Sequence, residues 1–352
     1  MKMALLSVGL LIFGLVLLLA WCGYPWSLRE RITKPEIVHV EPEGMVNNEE
    51  FPAVIKVQTW NLGFLYGEGS AGPGYVPRDK KYFENQLYEL VKEIKESAPD
   101  IICLQEIDFD SSRSLNIDQA QYLAVKAAYP YVAEAVSWHA NYIPFPYWPF
   151  SRHFGRMKSG GAVLSKYPII SHEVHLLPKP ISNPWWYNIF YLHRFQQEVQ
   201  IELGDRKLKL VNLHLEAFEK ENRTAQINTL VKRVKDHNIE IVCGDFNMVP
   251  MSASKKRRFK GYKEDDYEND GSFEAMQKSD LLEVIPDKIY ALDEARYFTF
   301  PASKSDRRLD YIFYNKNLKM IKAEVLPSAL SDHLPLKASF QIAEPKFNPY
   351  SQ

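Results

Sequence analysis

The sequence predicts an α/β protein in which two mixed or antiparallel β-sheets pack together and helices lie outside them. Short apolar segments with strand-like alternation recur along most of the chain. Two segments with helical periodicity lie between strand candidates, and helices become sparse late in the sequence. Strands and helices are therefore mixed along the chain, as expected for layered sheets covered by helices.

Composition is that of an ordered globular protein with balanced charge. The chain has 352 residues, with 43 Lys and Arg against 44 Asp and Glu, for a formal net charge of −1. This balance excludes strong long-range attraction to nucleic acid or anionic lipid, so any phosphate must be bound by local groups. Three cysteines imply no disulfide framework, and Cys103 and Cys243 lie in apolar runs typical of buried thiols.

An uncharged segment from Met3 to Trp21 predicts an N-terminal membrane helix over residues 1–24, since about 20 apolar residues cross a bilayer. A cleaved signal peptide is the alternative, but its apolar core is usually shorter. A lipoprotein site at Cys22 is disfavoured by the bulky Trp21 before it. We favour an uncleaved anchor with the following domain on the extracytoplasmic side. The orientation stays open, because the residues after the helix are the more basic.

The rest of the chain divides into a linker, one large domain and a tail. Residues 25–52 are polar with several Pro and Gly, which predicts a linker or stalk, and residues 344–352 form a tail. Within the domain, 53–343, residues 255–260 and 260–271 are charged and are expected to be solvated loops, with a basic patch as the alternative for 255–260. Strands are predicted over 53–62, 100–107, 160–170, 196–203, 207–215, 239–246, 308–315 and 336–343, and helices over 80–98 and 222–238.

Polar residues recur where these strands end. Each has an ordinary structural explanation, such as a turn cap for Asn61 or an ion pair with Arg307 or Arg308 for Asp310. Their common placement favours a site instead, because the loops that follow strands are where functional residues collect in layered α/β folds. The set is Asn61, Glu106, His214, Asp245, Asn247, Asp310, Asp332 and His333.

Six motifs carry a family resemblance. In order, "WNLG", "LQE", "NLHL", "GDFN", "LDYI" and "SDHLP" resemble the endonuclease/exonuclease/phosphatase superfamily, over about Ala53 to Ala343. That group includes deoxyribonuclease I, apurinic endonucleases, inositol-polyphosphate 5-phosphatases and neutral sphingomyelinases. The resemblance implies a four-layer α/β sandwich, with two central mixed sheets flanked by helices, and metal-dependent hydrolysis of phosphoric esters.

The resemblance also implies a metal site. Glu106 is expected to be the main ligand, with Asn61 beside it and Asp332 as a direct or water-mediated contact. Mg²⁺ is the expected ion because it prefers hard oxygen ligands, and Mn²⁺ or Ca²⁺ is an alternative. Neither a serine-hydrolase elbow nor a structural-zinc spacing is present in the sequence.

The resemblance also implies catalytic roles for five residues. Asp245 is expected to orient or deprotonate the attacking water, and Asn247 to hold that water or a phosphate oxygen. His333 is expected to lie against the phosphate, with Asp310 accepting its other N–H. His214 is expected to donate to a phosphate oxygen or to assist the leaving group. In "GDFN", Asp245 and Asn247 are two residues apart, so their side chains are expected to point to the same side of the extended chain, away from Phe246.

Two aromatic-rich stretches bear on the substrate: Trp138 to Arg156 and Pro178 to Arg194. They are either a local core or an exposed aromatic surface at a membrane–water boundary. With the N-terminal helix, this favours a sphingomyelinase-like phosphodiesterase acting on a lipid, with Trp185, Trp186 and Arg194 binding substrate. A nuclease is the first alternative, since aromatics stack on bases, and a phosphoinositide-type phosphatase is the second. A non-catalytic module is disfavoured by the intact residue set, and no protein partner is implied.

Overall fold

Two seven-stranded mixed β-sheets, flanked by helices, form the body of the protein, as the sequence predicts. The computed structural model describes residues 2–23, 32–41, 43, 52–67 and 75–342. The helices are α1 Lys2–Gly23, α2 Lys80–Ser97, α3 Gln119–Ala127, α4 Trp185–Phe190, α5 Lys220–His237, α6 Ser272–Gln277 and α7 Asp287–Tyr290. The strands are β1 Ile32–Thr33, β2 Ile37–His39, β3 Val54–Asn61, β4 Ile101–Asp108, β5 Tyr131–Ile143, β6 Gly155–Ser165, β7 Ile169–Leu176, β8 Phe195–Leu203, β9 Arg206–His214, β10 Ile241–Asp245, β11 Arg257–Phe259, β12 Tyr262–Asp266, β13 Leu282–Glu283, β14 Asp310–Tyr314, β15 Leu318–Val325 and β16 Leu336–Ile342.

Each sheet has one parallel pair near its middle. The first sheet has the order β1-β7-β8-β9-β10-β14-β13, in which β9 and β10 are parallel. The second has the order β15-β16-β3-β4-β6-β5-β2, in which β3 and β4 are parallel. The other pairings within the two sheets are antiparallel among the described residues. The carboxyl ends of both parallel pairs lie at one end of the sandwich, which we call the cleft edge, because Asn61 Nδ2 at the end of β3 is 3.0 Å from Asp245 Oδ2 at the end of β10.

Apolar alternation explains how the sheets pack. Inward-facing residues of both sheets form a shared core, which includes Val57, Cys103, Val199, Leu210 and Cys243. The longer helices of the domain cover the outer faces, each with an apolar face, as Phe83, Leu87, Leu90 and Ile94 do on α2. The first turn of α2 is capped by Asp79, whose side chain accepts a hydrogen bond from Tyr82 N at 2.8 Å.

Several elements differ from the sequence expectations. The segment predicted as a linker contributes β1 and β2, which add to the edges of the two sheets. The segment predicted as one strand over 160–170 is split between β6 and β7. The charged loops expected over 255–271 contain the β11–β12 hairpin, anchored by the buried ring of Phe259. Strand β5 was not predicted, because its Ala, Ser, His and Asn residues weaken the strand signal. Residues 344–352, predicted as a tail, lie outside the described residues.

The N-terminal helix α1 is exposed and apolar. Leu5–Gly23 is long and apolar enough to cross a membrane, by length and composition only. Only the carboxyl end of the helix packs against β5, where Asn141 Nδ2 donates a hydrogen bond of 3.0 Å to Trp21 O. A signal sequence would pass the same test, so retention of this helix stays a prediction.

Replacing Gly244 with Ala is expected to destabilise the first sheet. Gly244 has a φ of +145°, and a Cβ there would lie 2.0 Å from the carbonyl oxygen of Leu213 on β9. Because the clash is with backbone, the strands must separate, and we expect a loss of about 2 kcal/mol or more in unfolding free energy. Thermal unfolding of Gly244→Ala measures it. Gly271→Ala is the control, since its Cβ would meet nothing closer than 3.9 Å; equal melting temperatures would contradict the prediction.

Candidate active site

The strand-end residues predicted from the sequence converge at the cleft edge. Asn61 and Glu106 come from β3 and β4 of the second sheet, and His214 and Asp245 from β9 and β10 of the first. Asp310 starts β14 directly opposite Asp245 in the ladder. His333 precedes β16, and its carbonyl accepts a 2.9 Å hydrogen bond from the Trp60 indole.

Buried amides join the two sheets directly behind this cluster. Gln105 Nε2 donates to Asn212 Oδ1 at 2.6 Å, and Asn212 Nδ2 donates to Leu104 O and Gln197 Oε1 at 3.0 Å each. Gln105 immediately precedes Glu106, and Asn212 is two residues before His214. These bonds therefore fix the distance between the halves of the site. Sequence reasoning missed both residues; polar side chains inside otherwise apolar strands were the available signal.

Asn61 bridges two of the acids. Its Nδ2 lies 3.0 Å from Asp245 Oδ2 and 3.3 Å from Glu106 Oε1, while its Oδ1 accepts from Gly63 N at 3.0 Å. The amide thus holds one carboxylate from each sheet. Its oxygen is already engaged, so the geometry gives Asn61 a positioning contact with the carboxylates.

Glu106 reaches the cleft through a β-bulge. The ladder between β4 and β6 shifts between Gln105 and Ile107, and Glu106 has a φ of +50°. A bulge of this kind turns a side chain out of the regular alternation. Burial raises the pKa of Glu106, and the nearby Asp332 raises it further, against the lowering effect of Arg194.

The "GDFN" turn presents Asp245 and buries its aromatic residue. Asp245 Oδ1 accepts from Asn247 N at 2.9 Å, which closes the turn, and Asn247 has a φ of +51°. Phe246 packs the other way, against Tyr311 and Phe313 in the outer core. Asn247 Nδ2 donates to Leu215 O at 2.9 Å, which fixes the amide at the floor of the site.

His333 is held by an acid on one nitrogen and faces another acid with the second. Its Nδ1 is 2.9 Å from Asp310 Oδ2, its Nε2 is 3.8 Å from Asp245 Oδ2, and Phe300 packs on its ring. Burial alone would lower the pKa of His333, but Asp310 and Asp245 outweigh it and raise the pKa to about 10. The ring is therefore an imidazolium at neutral pH.

His214 has a different electrostatic state. Burial lowers its pKa well below the ordinary value, and the charges of Arg194 and His333 lower it further. Arg194 Nη1 contacts His214 Nε2, and since a guanidinium can only donate, this nitrogen acts as an acceptor. In this arrangement Arg194, rather than His214 Nε2, is the donor available for a phosphate oxygen.

A buried acid behind Arg194 was not singled out from the sequence. Glu216 is fully buried, and its Oε1 accepts from the Tyr191 hydroxyl at 3.0 Å. Its Oε2 lies 3.9 Å from Arg194 Nε. The available signal was an acid two residues after His214 in the same strand-end segment.

The donor set fits a hard divalent cation. Burial raises the pKa of Glu106, of Asp332 and, to about 7, of Asp245, and the charge of Asp332 raises the pKa of Glu106 further. A cation among such oxygens would relieve their repulsion. Ligand atoms of Asp245, Asp310 and His333 also lie within 4.8 Å of one another. Asp310 is fully buried and engaged by His333, whereas Glu106 is partly exposed to the cleft, so the carboxylate of Glu106 is the more accessible of the two.

Two of the residues predicted to bind substrate lie outside the cluster. Trp185 and Trp186 are exposed on α4, at the cleft edge but on the protein surface. Arg194, the third, is buried inside the site. The aromatic stretches thus divide: Phe154 and Trp138 pack inward, while other rings face solvent.

Known proteins share this fold. A sequence model described as "Endonuclease/Exonuclease/phosphatase family" matches residues 59–333. An endonuclease/exonuclease/phosphatase from Beutenbergia cavernae is 18% identical, with a TM-score of 0.57, covering 82% of this chain and 72% of that one. The human Nocturnin catalytic domain with bound sulfate is 20% identical, with a TM-score of 0.53 and coverage of 88% and 96%. D. rerio TDP2 with a single-strand DNA product is 16% identical, with a TM-score of 0.53 and coverage of 82% and 99%. No curated protein matches the sequence.

Replacing Asp245 with Asn is expected to lower turnover at least about 100-fold, because a proton acceptor is lost from the centre of the cluster. The Asn oxygen can still accept from Asn247 N, so the turn and the fold should persist. Hydrolysis of bis(4-nitrophenyl) phosphate with Mg²⁺ measures turnover, and thermal unfolding checks the fold. Asp205→Asn, in the exposed turn after β8, is the control. Wild-type turnover in Asp245→Asn would contradict a catalytic role.

Proposed function

The chain belongs to the endonuclease/exonuclease/phosphatase family, and we propose that it is a divalent-metal-dependent phosphodiesterase acting on a lipid or another membrane-borne substrate. Membership makes it a phosphoester hydrolase. The observation that carries the choice of substrate is the group of exposed aromatic side chains on the two loops at the cleft edge, next to the end of α1.

The chain's own residues divide the work on the phosphate. Asp245 orients the attacking water and accepts its proton, since its raised pKa suits a base near neutral pH. The charged His333, held by Asp310, and the guanidinium of Arg194 donate to nonbridging phosphate oxygens as negative charge grows on them. Asn247 fixes the water or a phosphate oxygen from the floor of the turn.

Glu106 and Asp332 would hold the cation, with Asn61 positioning the carboxylate of Glu106. A bound divalent cation stabilises the negative charge of the phosphate and of the departing oxygen. Mg²⁺ suits these oxygen donors, and Mn²⁺ and Ca²⁺ accept the same donor type.

Exposed rings support a lipid substrate. Trp148 is 74% exposed and Trp185 is 75% exposed, and Phe150 and Trp186 lie beside them. Exposed Trp and Phe are unfavourable in water but suited to the boundary between headgroups and acyl chains. Because α1 ends against β5, whose carboxyl end leads into the loop of Trp148, a membrane-inserted α1 brings that loop close to the bilayer.

This arrangement favours retention of α1 as an anchor, with the hydrolase domain on the extracytoplasmic side. A helix that packs on the folded domain and ends beside its site keeps the site near membrane-borne substrate. Cleavage after residue 23 would leave the exposed rings as the remaining membrane contact.

A nuclease is the second candidate, favoured by the same exposed rings, which can stack on bases. Arg152 lies on the same loop and can meet a phosphate backbone. The near-zero net charge of −1 weakens this alternative, because proteins bind nucleic acid largely through positively charged surface residues.

Chelation is expected to abolish activity reversibly. Removing the cation leaves Glu106, Asp245 and Asp332 without the positive charge that balances them and the phosphate. Hydrolysis of bis(4-nitrophenyl) phosphate by the full chain in detergent is measured after EDTA treatment and after readdition of Mg²⁺, Mn²⁺ or Ca²⁺. Full activity in EDTA would contradict the proposed metal dependence.

Substituting Trp148 and Trp185 with Ser is expected to lower hydrolysis of vesicle-borne lipid roughly tenfold, as a loss of about 1.4 kcal/mol of interfacial binding implies. Hydrolysis of soluble bis(4-nitrophenyl) phosphate should not change, since neither ring lies in the cluster. The control is Tyr88→Ser, an exposed aromatic on α2.

The substrate panel for this experiment is sphingomyelin, glycerophospholipids, phosphoinositides, plasmid DNA and RNA, each with Mg²⁺. Cleavage of DNA or RNA far faster than every lipid would overturn the lipid assignment and favour the nuclease. An equal effect of the Trp substitutions on soluble and vesicle-borne substrates would also contradict it.

A further inference from the structure

A small pocket opens beside Glu106 and His214, on the side of the site formed by β5 and β6. Its volume is ≈ 20 Å³, and a single water needs on the order of 10–15 Å³ by this measure. The pocket therefore has room for a group of one or two heavy atoms. It is lined by Phe64, Glu106, Ser137, Trp138, Ser159, Gly160, Leu192 and His214.

Two β-bulges on opposite sides of Gly160 build this pocket. On β4 the ladder to β6 shifts at Glu106, where Gln105 pairs with Gly161 and Ile107 with Gly160. On β5 the ladder shifts at Ser137, whose neighbours Val136 and Trp138 pair with Gly160 and Ser159. Each bulge leaves one residue outside the regular pairing, and both of those residues line the pocket.

Gly160 itself must lack a side chain. A Cβ at this position would lie 1.8 Å from the carbonyl oxygen of Ala135 and 2.8 Å from Ser137 N. The close approach of β5 to β6 at this point therefore depends on glycine. Any larger residue would push the strand that carries Ser137 and Trp138 away from the site.

Two serine hydroxyls face the pocket without partners. Ser137 is 3% exposed and Ser159 is 1% exposed. Among the residues that the structure describes, neither hydroxyl makes a hydrogen bond with another protein group, although both residues line the pocket. Both hydroxyls keep access to the pocket, so a water or a hydroxyl of a ligand that enters it can supply the missing partner.

The remaining walls are rigid and largely apolar. The Trp138 indole donates to Phe190 O at 2.9 Å, which fixes the ring. Phe64 is held from behind by the Arg113 guanidinium, 3.4 Å from its ring centroid, and Arg113 is bound to Asp108 by two hydrogen bonds of 3.0 Å. No Lys or Arg lines the pocket. It therefore suits a neutral group and offers nothing to a second phosphate.

We propose that this pocket binds a hydroxyl carried by the alcohol moiety of the substrate, on a carbon near the ester oxygen. Ser137 and Ser159 exchange hydrogen bonds with that hydroxyl, and the Trp138 and Phe64 rings pack on the carbon that bears it. The preferred substrate class is thus a phosphoester of a polyol. The inference rests on the proposed function in one respect, namely that the phosphate lies between Glu106 and His214.

The chemistry does not by itself separate two sources of such a hydroxyl, a glycerol-type lipid headgroup and a ribose. A quaternary ammonium headgroup is excluded from the pocket by size, since its nitrogen carries three methyl groups. A site built to hydrogen-bond a hydroxyl discriminates strongly against an analogue that lacks it, because its own polar groups then stay unpaired.

The test compares paired ligands that differ by a hydroxyl. Dissociation constants are measured by calorimetry on the full chain in detergent with Mg²⁺, for glycerol 3-phosphate against propyl phosphate. Adenosine 3′-monophosphate against its 2′-deoxy analogue forms the second pair. We expect one hydroxylated member to bind at least about fivefold more tightly than its partner, as one or two added hydrogen bonds imply.

Ser137→Ala and Ser159→Ala should each shrink that ratio toward one while leaving the dissociation constant of the deoxy ligand unchanged. Ser171→Ala, an exposed serine on β7, is the matched control, and thermal unfolding of each variant checks its fold. A ratio confined to the glycerol pair assigns the pocket to a lipid headgroup, and one confined to the nucleotide pair assigns it to ribose.

Equal affinities within both pairs for the wild-type protein would overturn the proposal, as would a ratio that survives in both serine variants. A failure of the proposed function would give a different result from a failure of the hydroxyl pocket. If no lipid in the substrate panel is hydrolysed but the ratio is present and serine-dependent, the lipid assignment falls and the hydroxyl pocket stands.

Discussion

The buried hydrogen bond between Gln105 and Asn212 is the constraint on which the site depends. It crosses the interface between the two sheets at 2.6 Å, and both side chains are fully buried. A buried amide is stable only when its partners are in place, so this pair permits one relative placement of the sheets. Because Glu106 and His214 follow these amides by one and two residues, that placement also sets the width of the cleft.

The two histidines of the cleft differ in their charge. His333 is held charged by Asp310, whereas His214 is kept neutral by burial and by Arg194. One histidine is thus a fixed cation and the other an acceptor, although the sequence suggests similar roles for them. Acidic side chains outnumber cationic ones in the cleft, and a divalent cation would neutralise this excess of negative charge.

The sequence was sufficient for the fold class and for the position of most polar residues, because strand periodicity and strand-end motifs are local signals. It was insufficient where long-range pairing decides the outcome. Strands β1 and β2 are too short to show alternation, and they form only because a sheet edge is available to them. Glu216, Gln105 and Asn212 resemble ordinary polar residues until the two sheets are packed. Whether an aromatic ring faces inward, as in Trp138, or outward, as in Trp148, depends on the loop's path and not on its composition.

The extra residue at Glu106 makes strand β4 sensitive to any change in its length. Because side chains alternate along a strand, a bulge shifts the phase of everything that follows it. Deleting one residue there would restore a regular ladder but exchange the two faces of the strand beyond it. Asp108 would then turn away from Arg113, whose guanidinium would be left buried without its counter-ion. We therefore expect this strand to tolerate substitutions better than single-residue deletions, because a deletion would turn its buried side chains outward and its exposed side chains inward.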